Sequence, residues 1–321
     1  MLKLFYYIII VGNFLYKKQS LFPKIDISIN IIYKRSFLLC YIKNNFILLI
    51  TIKQRIIKPI KIIKIIKEKI ILFSTYIKIK KNIKVSLYEK IEYQGIKKGI
   101  KYNYCVIYCE NNNTINYSLI KNIQFCIKIF IIFKILCKSE SHIRLNKINS
   151  QYKLCNMLYK ISMLGINSSI QLLGGCILKK REKHKFINIC WQKEYGTASI
   201  QKYNQILKEK SNSKFYNYII IHEYLKKVFA EQINKNIILG SKCRLRSKPV
   251  FHINSDDVIC SHGVTISKYN KTLVFFFMQR GISRKKAIMN IIVALIKQIF
   301  NKHIISSIEN KILSTQIKNI L

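Results

Sequence analysis

The most specific stretch of the sequence is Ser255-Asp256-Asp257-Val258-Ile259-Cys260-Ser261-His262-Gly263-Val264-Thr265. In an extended strand successive side chains alternate between faces, so Asp256, Val258, Cys260 and His262 point the same way. Two rises along the strand put the thiol and the imidazole about 7 Å apart. A thiol and an imidazole are donors that suit a soft metal ion or sulfur chemistry, and a packed thiol beside a hydrogen-bonded imidazole is the structural alternative.

The segments around this stretch occur in a characteristic order. Downstream runs Val274-Phe275-Phe276-Phe277-Met278-Gln279-Arg280-Gly281-Ile282-Ser283, and upstream lie Ile200–Lys208, Asn236–Gly240 and Lys248-Pro249. From about Thr197 to Phe300, a third of the chain, this order resembles the C-terminal core of the SufB/SufD family, the iron–sulfur cluster assembly scaffolds.

The resemblance favours a divergent, organelle-encoded SufB, although the motifs are mixed. Cys-Ser-His-Gly at 260–263 is similar to SufD, whereas Gln-Arg-Gly-Ile-Ser at 279–283 is similar to SufB. SufB members flank the histidine with two Glu residues, where this chain has Ser261 and Gly263. They also place a sulfur-accepting cysteine at the position of Asn234, and Cys243 lies nine residues further on.

The pattern of short strands predicts a mainly β protein. Alternating runs begin at Ile70 and recur to Ile253 with polar turns between them, which is compatible with a solenoid, a sandwich or a barrel. The resemblance selects a right-handed parallel β-helix. We therefore predict a divergent N-terminal α/β region at 1–69, a β-helix core at 70–281 and a C-terminal helical region at 282–321.

Two segments of the chain show helical spacing. The isoleucines around Lys58 to Lys69 predict an amphipathic segment in the N-terminal region. After an N-cap at Ser283, apolar residues at intervals of three and four predict a helix to about Phe300, and a second helix is predicted from Ile304 to Ile320. The resemblance implies that Ile288, Ile291, Ile292 and Leu295 pack partly on the solenoid and partly on a SufC-type ATPase.

The resemblance also implies a function and a set of partners. Cys260 and His262 would handle iron or sulfur at a seam with a SufB/SufD-type paralogue or a second copy, where a transient iron–sulfur cluster forms. Asp256 and Asp257 would support that pair or cap turns. The sulfur would come from a desulfurase system, and the chain would be a scaffold subunit and not an enzyme, since it has no Gly-x-x-x-x-Gly-Lys-Ser/Thr phosphate loop.

The charge of the chain offers an alternative function. A formal net charge of +43 is typical of nucleic-acid binding, and a basic organellar RNA-binding or ribosomal protein is the rival hypothesis. Only eight of the 57 basic residues are Arg, however, and phosphate and base recognition uses Arg disproportionately. The excess of Lys, Asn, Ile and Tyr instead indicates the base-biased genome of a plastid or apicoplast-like organelle, so nucleic acid is not the expected partner. A scaffold that has lost its cluster chemistry is a third hypothesis.

The remaining thiols and imidazoles are predicted to be structural. Ten cysteines are too sparse for a disulfide framework, and Cys105 and Cys109 are predicted as half-buried thiols on one face of a strand. His184 is flanked by lysines, so we expect it in solvent, whereas His252 is expected on a strand and in the core. Apolar runs are interrupted by Lys and fall short of the roughly 20 residues of a membrane span.

Overall fold

The protein is a β-solenoid built from two stacked sheets, as seen in a computed structural model. The structure describes residues 6–11, 14–16, 27–32, 45–54, 59–66, 70–93, 99–122, 127–150 and 153–299. Strands alternate between the sheets along the chain, so each coil contributes one strand to each sheet.

The first sheet contains ten strands. In chain order they are β1 (Tyr6–Val11), β2 (Phe14–Tyr16), β5 (Ile60–Ile66), β7 (Lys84–Tyr93), β9 (Thr114–Asn122), β11 (His142–Ser150), β13 (Ser169–Leu178), β15 (Ala198–Leu207), β17 (Val228–Ile238) and β19 (Val258–Ser267). The second sheet contains nine. They are β3 (Ile27–Ile32), β4 (Asn45–Ile52), β6 (Ile70–Ile79), β8 (Gly99–Cys109), β10 (Ile127–Cys137), β12 (Leu154–Met163), β14 (Lys183–Gln192), β16 (Asn212–Ile221) and β18 (Arg244–Ile253).

Parallel, in-register pairing joins the strands of successive coils. Strand β17, for example, pairs with β15 on one side and β19 on the other, and β16 pairs with β14 and β18. The pairs β1–β2 and β3–β4 are antiparallel. The predicted parallel β-helix is therefore confirmed, and the sandwich and barrel alternatives are excluded.

The solenoid interior is filled by alternate side chains of every strand. In β12 and β8 the alternation of buried and exposed residues has a period of two, with Cys155, Met157, Tyr159 and Ile161 pointing inward from β12. Burying a Leu or Ile side chain stabilises a fold by about 1.5–3 kcal/mol, so the continuous isoleucine-rich column is the main source of stability. Aromatic rings lie within the same column, and Phe133 stacks on Tyr159 with ring centroids 5.3 Å apart.

Left-handed backbone conformations mark the corners between strands. Asn82, Asn112 and Asn167 have φ values of 60°, 56° and 53°, and Asn is the residue other than Gly that most readily accepts this region. Asn112 donates from its side-chain amide to Asn82 at 2.9 Å, which links equivalent corners of neighbouring coils. Asparagine thus supplies some of these corners, and Glu140, Lys180, Glu209, Tyr224 and Lys227 adopt the same conformation at others.

Within the described residues, two helices follow β19. Helix α1 (Lys271–Gln279) begins after Asn270, whose side chain accepts a hydrogen bond from the Leu273 N–H at 3.1 Å. Helix α2 (Arg284–Ile299) begins directly after Ser283, so the helix predicted from that residue is confirmed. It packs against the outer face of the first sheet, where Ile292 and Ile296 meet Leu173, Ile177, Ile206 and Ile237.

One expectation from the sequence needs correction, and another falls outside the described residues. The amphipathic segment around Lys58–Lys69, expected as a helix in an α/β region, contains the strand β5, and the described residues of 1–69 are otherwise strands or short connections. The helix predicted from Ile304 to Ile320 lies outside the described residues. Among the residues that the structure describes, no helix is long and apolar enough to cross a membrane.

Candidate functional site

Cys260 and His262 lie on β19, the last strand of the first sheet. Cys260 stands in register with Ala230 of β17, and His262 stands in register with Gln232. Both positions continue inward-facing columns of the preceding coils, so the thiol and the imidazole share one face of the strand, as predicted. Among the described strands β19 pairs with β17 alone, so this face lies on the last described coil, which we call the open end of the solenoid.

The environments of the two donors differ. Cys260 is partly buried and packs against the end of the hydrophobic core, and burial raises the pKa of its thiol. His262 is exposed, and its ring lies 5.3 Å from the ring of Phe251 on β18, measured between centroids. The site thus combines the partly buried thiol of Cys260 with the exposed imidazole of His262, which contacts the ring of Phe251.

The solenoid interior behind His262 is lined by amides. Gln201, Gln232, Asn217 and Asn234 are at most 4% exposed, and each has at least one side-chain oxygen with no hydrogen-bond partner among the described residues. Gln232 donates to the Asn217 carbonyl across the interior at 3.5 Å. Buried amides of this kind normally bind ordered water. The interior of the solenoid next to the open end is therefore polar.

The acidic residues before β19 act on the turn. The strand begins at Val258, so Asp256 and Asp257 lie in a bend and are exposed, and Asp256 does not share the strand face of Cys260 as the sequence had suggested. Asp257 accepts a hydrogen bond from the Lys227 N–H at 3.1 Å. Ser255 accepts from the Leu225 N–H at 2.9 Å. These contacts fix the entry of β19 onto the preceding coil.

The described cysteines are either fully buried or partly exposed. Cys105 and Cys109 lie on the inner face of β8 and are fully buried, not half-buried as predicted, and Cys137, Cys155, Cys176 and Cys190 are also buried. Burial raises the pKa of Cys190 to about 12 and raises that of Cys137 well above its usual value. Such thiols stay protonated and unreactive. Among the described cysteines, Cys243 and Cys260 alone have partial solvent exposure.

The predicted docking stripe on α2 is largely used within the chain. Ile291 and Ile292 are 7% and 1% exposed, and Ile288 and Leu295 are partly buried against the same clusters. Asn204 also donates to the Leu295 carbonyl at 2.7 Å, which fixes the helix on the sheet. The exposed apolar surface lies instead on α1, at Leu273, Phe275, Phe276 and Met278.

Two histidines differ from expectation. His184 is 3% exposed and faces the interior, where its ring lies 5.6 Å from that of Phe186, although the flanking lysines had suggested solvent. His252 is exposed on β18 and is not in the core. In both cases the two-residue alternation of a strand decides the orientation, and the neighbouring residue types do not.

The described residues hold no metal site within a single chain. No group of three or more His, Cys, Asp or Glu side chains converges in the ranges that the structure covers. Cys260 and His262 supply a thiol and an imidazole on one face of β19, and two donors do not complete a metal site.

Comparison with known proteins identifies the solenoid. Residues 65–295 match the family model of the SUF system FeS cluster assembly SufBD core domain. The chain is 30% identical over 115 residues to the iron-sulfur cluster assembly SufBD family protein slr0076 of Synechocystis, which covers 36% of this chain and 25% of that protein.

Two further relatives are similar over comparable lengths. The iron-sulfur cluster assembly protein SufD of Escherichia coli is 30% identical over 96 residues, 30% of this chain and 23% of that protein. Protein ABCI7, chloroplastic, of Arabidopsis thaliana is 28% identical over 123 residues, 38% of this chain and 25% of that protein. The matched segments thus span about a quarter of the length of these relatives. Because the family model covers most of the chain, the protein belongs to the SufB/SufD family of the SUF iron–sulfur cluster assembly system.

Proposed function

We propose that this chain is a scaffold subunit on which iron–sulfur clusters are built at a seam with a second SufB/SufD-type chain. The observation that carries the proposal is the position of Cys260 and His262 on β19, which is the edge strand of the first sheet among the described residues. At that edge the two side chains are within reach of a second protomer.

The two strands at the open end, β18 and β19, differ in how readily their edges could pair with a strand of another chain. On β18 the side chains of Arg244, Arg246 and Lys248 are exposed, and Pro249 removes one backbone donor. Charged residues and proline are the usual devices that protect an edge strand from pairing. Strand β19 has no Lys, Arg, Asp or Glu and exposes Ile259. This contrast favours β19 as the strand that pairs with another chain.

An incomplete set of ligands also supports a shared site. Iron–sulfur clusters take four protein ligands in the common cases, with thiolates preferred and imidazole used in some centres. Cys260 and His262 supply two donors, and a second chain would supply the others. The cluster is cargo in this proposal, so a site that opens when two chains separate is suited to its release.

The energy for assembly would come from a SufC-type ATPase, since the chain has no phosphate-binding loop of its own. We assign the docking surface to α1, where Leu273, Phe275, Phe276 and Met278 are 41%, 56%, 50% and 45% exposed. Four large apolar side chains exposed on one short helix are uncommon on a free monomer and are typical of a protein interface. The chloroplastic relative and the base-biased composition support a plastid-type organelle as the location.

Anaerobic reconstitution of the purified complex with ferrous iron and sulfide tests the proposal. We expect the Cys260→Ala and His262→Ala variants to lose most of the bound cluster, measured by absorbance and by iron content. Cys109→Ala, which removes a buried thiol on β8, five strands away from β18 in the second sheet, is the matched control. Wild-type cluster yields in both site variants would exclude the assignment.

A further inference from the structure

The outer face of the second sheet carries positive charge without negative charge. The seven strands of this sheet from β6 to β18 contain no Asp or Glu. Their outward positions hold ten exposed Lys and Arg residues, four of them on β6, β10 and β12. The other six lie on the last three strands and are Lys183, Lys185, Lys214, Arg244, Arg246 and Lys248.

Three of these cations lie side by side on neighbouring strands. Lys185 of β14 stands in register with Lys214 of β16, and Lys214 stands in register with Arg246 of β18. Neighbouring strands are about 4.8 Å apart, which is less than the Debye length of about 8 Å at physiological ionic strength. The three like charges therefore repel one another, and an anionic surface placed over this row would offset the repulsion.

The composition of the chain explains the number of its lysines but not their arrangement. Strand alternation directs these cations outward, and the in-register pairing of the coils aligns them on one face. The first sheet differs, because Lys202 forms an ion pair at 2.9 Å with Glu231 of the neighbouring strand. Helix α2 also covers part of the outer face of that sheet. The uncompensated charge thus belongs to the second sheet.

Aromatic side chains lie among the cations of the same face. Tyr76 and Tyr102 are exposed. Tyr102 stacks on Phe130, with 5.0 Å between ring centroids and 15° between ring planes, and Tyr76 meets Tyr104 edge to face at 5.9 Å. Tyrosine combines an apolar ring with a polar hydroxyl group, and it is enriched where lipid meets water.

The chemistry of this face favours lipid headgroups over nucleic acid. Eight of its ten cations are Lys, whereas nucleic-acid recognition uses the planar fork of Arg disproportionately. Single-stranded nucleic acid tracks a groove and stacks its bases on aromatic rings. Here the rings of Tyr102 and Phe130 stack on each other. The face is also broad, about 29 Å across its seven strands and about 33 Å along them.

We propose that the outer face of the second sheet binds the surface of a membrane that contains anionic lipids. The cations lie over the lipid phosphates, and the exposed tyrosines reach the headgroup region. Helix α2 packs on the first sheet and α1 packs on α2, so the membrane-binding face overlaps neither helix. The inference uses a different face of the solenoid from Cys260 and His262, and it does not depend on the proposed function.

Flotation of the full chain with lipid vesicles tests the inference. Vesicles of phosphatidylcholine with phosphatidylglycerol should bind the chain at physiological salt, and vesicles of phosphatidylcholine alone should not. Added salt should weaken the binding, because it screens exposed charges. A chain that fails to float with the anionic vesicles, or floats equally with both kinds, would overturn the inference.

Substitution of the cationic row tests which face binds. Lys185→Gln, Lys214→Gln and Arg246→Gln in one variant should weaken binding to the anionic vesicles at least about tenfold. Urea unfolding should show no loss of stability, since the three side chains are exposed and their charges repel one another.

The matched control removes three exposed lysines from other parts of the surface. It combines Lys84→Gln on β7 with Lys268→Gln and Lys271→Gln, which lie just after β19 and at the start of α1. This variant should lose less than about threefold in affinity. Equal losses in the two triple variants would show that the vesicles respond to net charge alone, and would overturn the inference.

Trp191 reports on the contact itself. It is the one tryptophan of the chain, and it lies on the outward side of β14. Anionic vesicles that contain a lipid with a nitroxide on its headgroup should therefore quench its fluorescence. Unchanged fluorescence in a chain that floats with these vesicles would place the contact on another face and refute the proposal.

A competing RNA separates the two classes of anionic partner. Polyuridylate at the same phosphate concentration as the anionic lipid should leave most of the chain on the vesicles. Complete displacement by this RNA would identify nucleic acid as the preferred ligand of the face and would overturn the assignment to a membrane.

Discussion

The imidazole of His262 faces Phe251 across the open end of the solenoid, with 5.3 Å between ring centroids. Because Phe251 lies on β18 and His262 on β19, this contact joins the final strands of the two sheets. It holds the imidazole against an aromatic surface at the rim and leaves it exposed to a second chain. The geometry therefore links the candidate ligand to the edge that we expect to pair.

If the chain pairs with its partner through β19, a lysine introduced on β19 should weaken association more than a lysine introduced on β18. Ile259→Lys places a charge on the uncharged edge strand, and we expect at least a tenfold loss of affinity for the paralogue or for a second copy. Ile259 is 71% exposed, so the free energy of unfolding should change by less than about 0.5 kcal/mol. Sedimentation velocity measures the association.

The matched control is Ile253→Lys on β18, since Ile253 is also exposed on the last coil but belongs to the already charged edge. It should leave the association intact. Equal losses from both variants would mean that the strand identity is irrelevant to pairing.

Substitutions on the two C-terminal helices should have different effects: a change on α1 should weaken binding of the ATPase, and a change on α2 should lower the stability of the fold. Phe276→Asp on α1 changes a side chain that is 50% exposed, so we expect lost ATPase binding with a change in stability of about 0.5 kcal/mol or less. Ile292→Asp on α2 buries an unpaired charge and should cost about 3 kcal/mol or more. Pull-down and urea unfolding measure the two effects. Retained ATPase binding by Phe276→Asp would refute the α1 surface.

A buried ion pair stabilises the N-terminal coils. The Lys64 ammonium lies 2.7 Å from a Glu89 carboxylate oxygen and also donates to Thr75 at 2.7 Å, with Lys64 and Glu89 at most 1% exposed. Lys64→Met leaves the carboxylate buried without its counter-ion, and we expect a loss of about 3–5 kcal/mol in urea unfolding. Lys64→Met with Glu89→Gln removes both charges and should recover part of that loss. An additive double variant would show that the charges do not interact.

Glu182 predicts a pH dependence of stability. Burial raises the pKa of its carboxyl group from 4.5 to about 7, so the folded state binds more protons than the unfolded state between these values. The contribution of this group is present below pH 4.5 and is lost as pH rises through 7, with a slope of at most about 1.4 kcal/mol per pH unit. Glu182→Gln should remove this slope from the free energy of unfolding. The same slope in the variant would assign it to other groups.

The strand pattern and the thiol–imidazole pair were accessible from the sequence because both depend on local spacing. The burial of Lys64 was not, because its counter-ion Glu89 belongs to another coil, although Lys64 shares the inner face of β5 with Ile60 and Ile62. The helix α1 was missed because a run of Phe residues has no polar periodicity. The alignment of Glu182, Ser211 and Cys243 in successive coils likewise depends on the length of each coil, which no single segment of the sequence contains.

The central claim is that His262 is a ligand of a cluster held between two chains. Pulsed electron paramagnetic resonance of the reduced, reconstituted complex, with this chain alone labelled with ¹⁵N-histidine, tests it most directly. We predict a ¹⁵N coupling at the cluster that disappears in His262→Cys. A cluster without ¹⁵N coupling, or with a coupling that survives this substitution, would contradict the account.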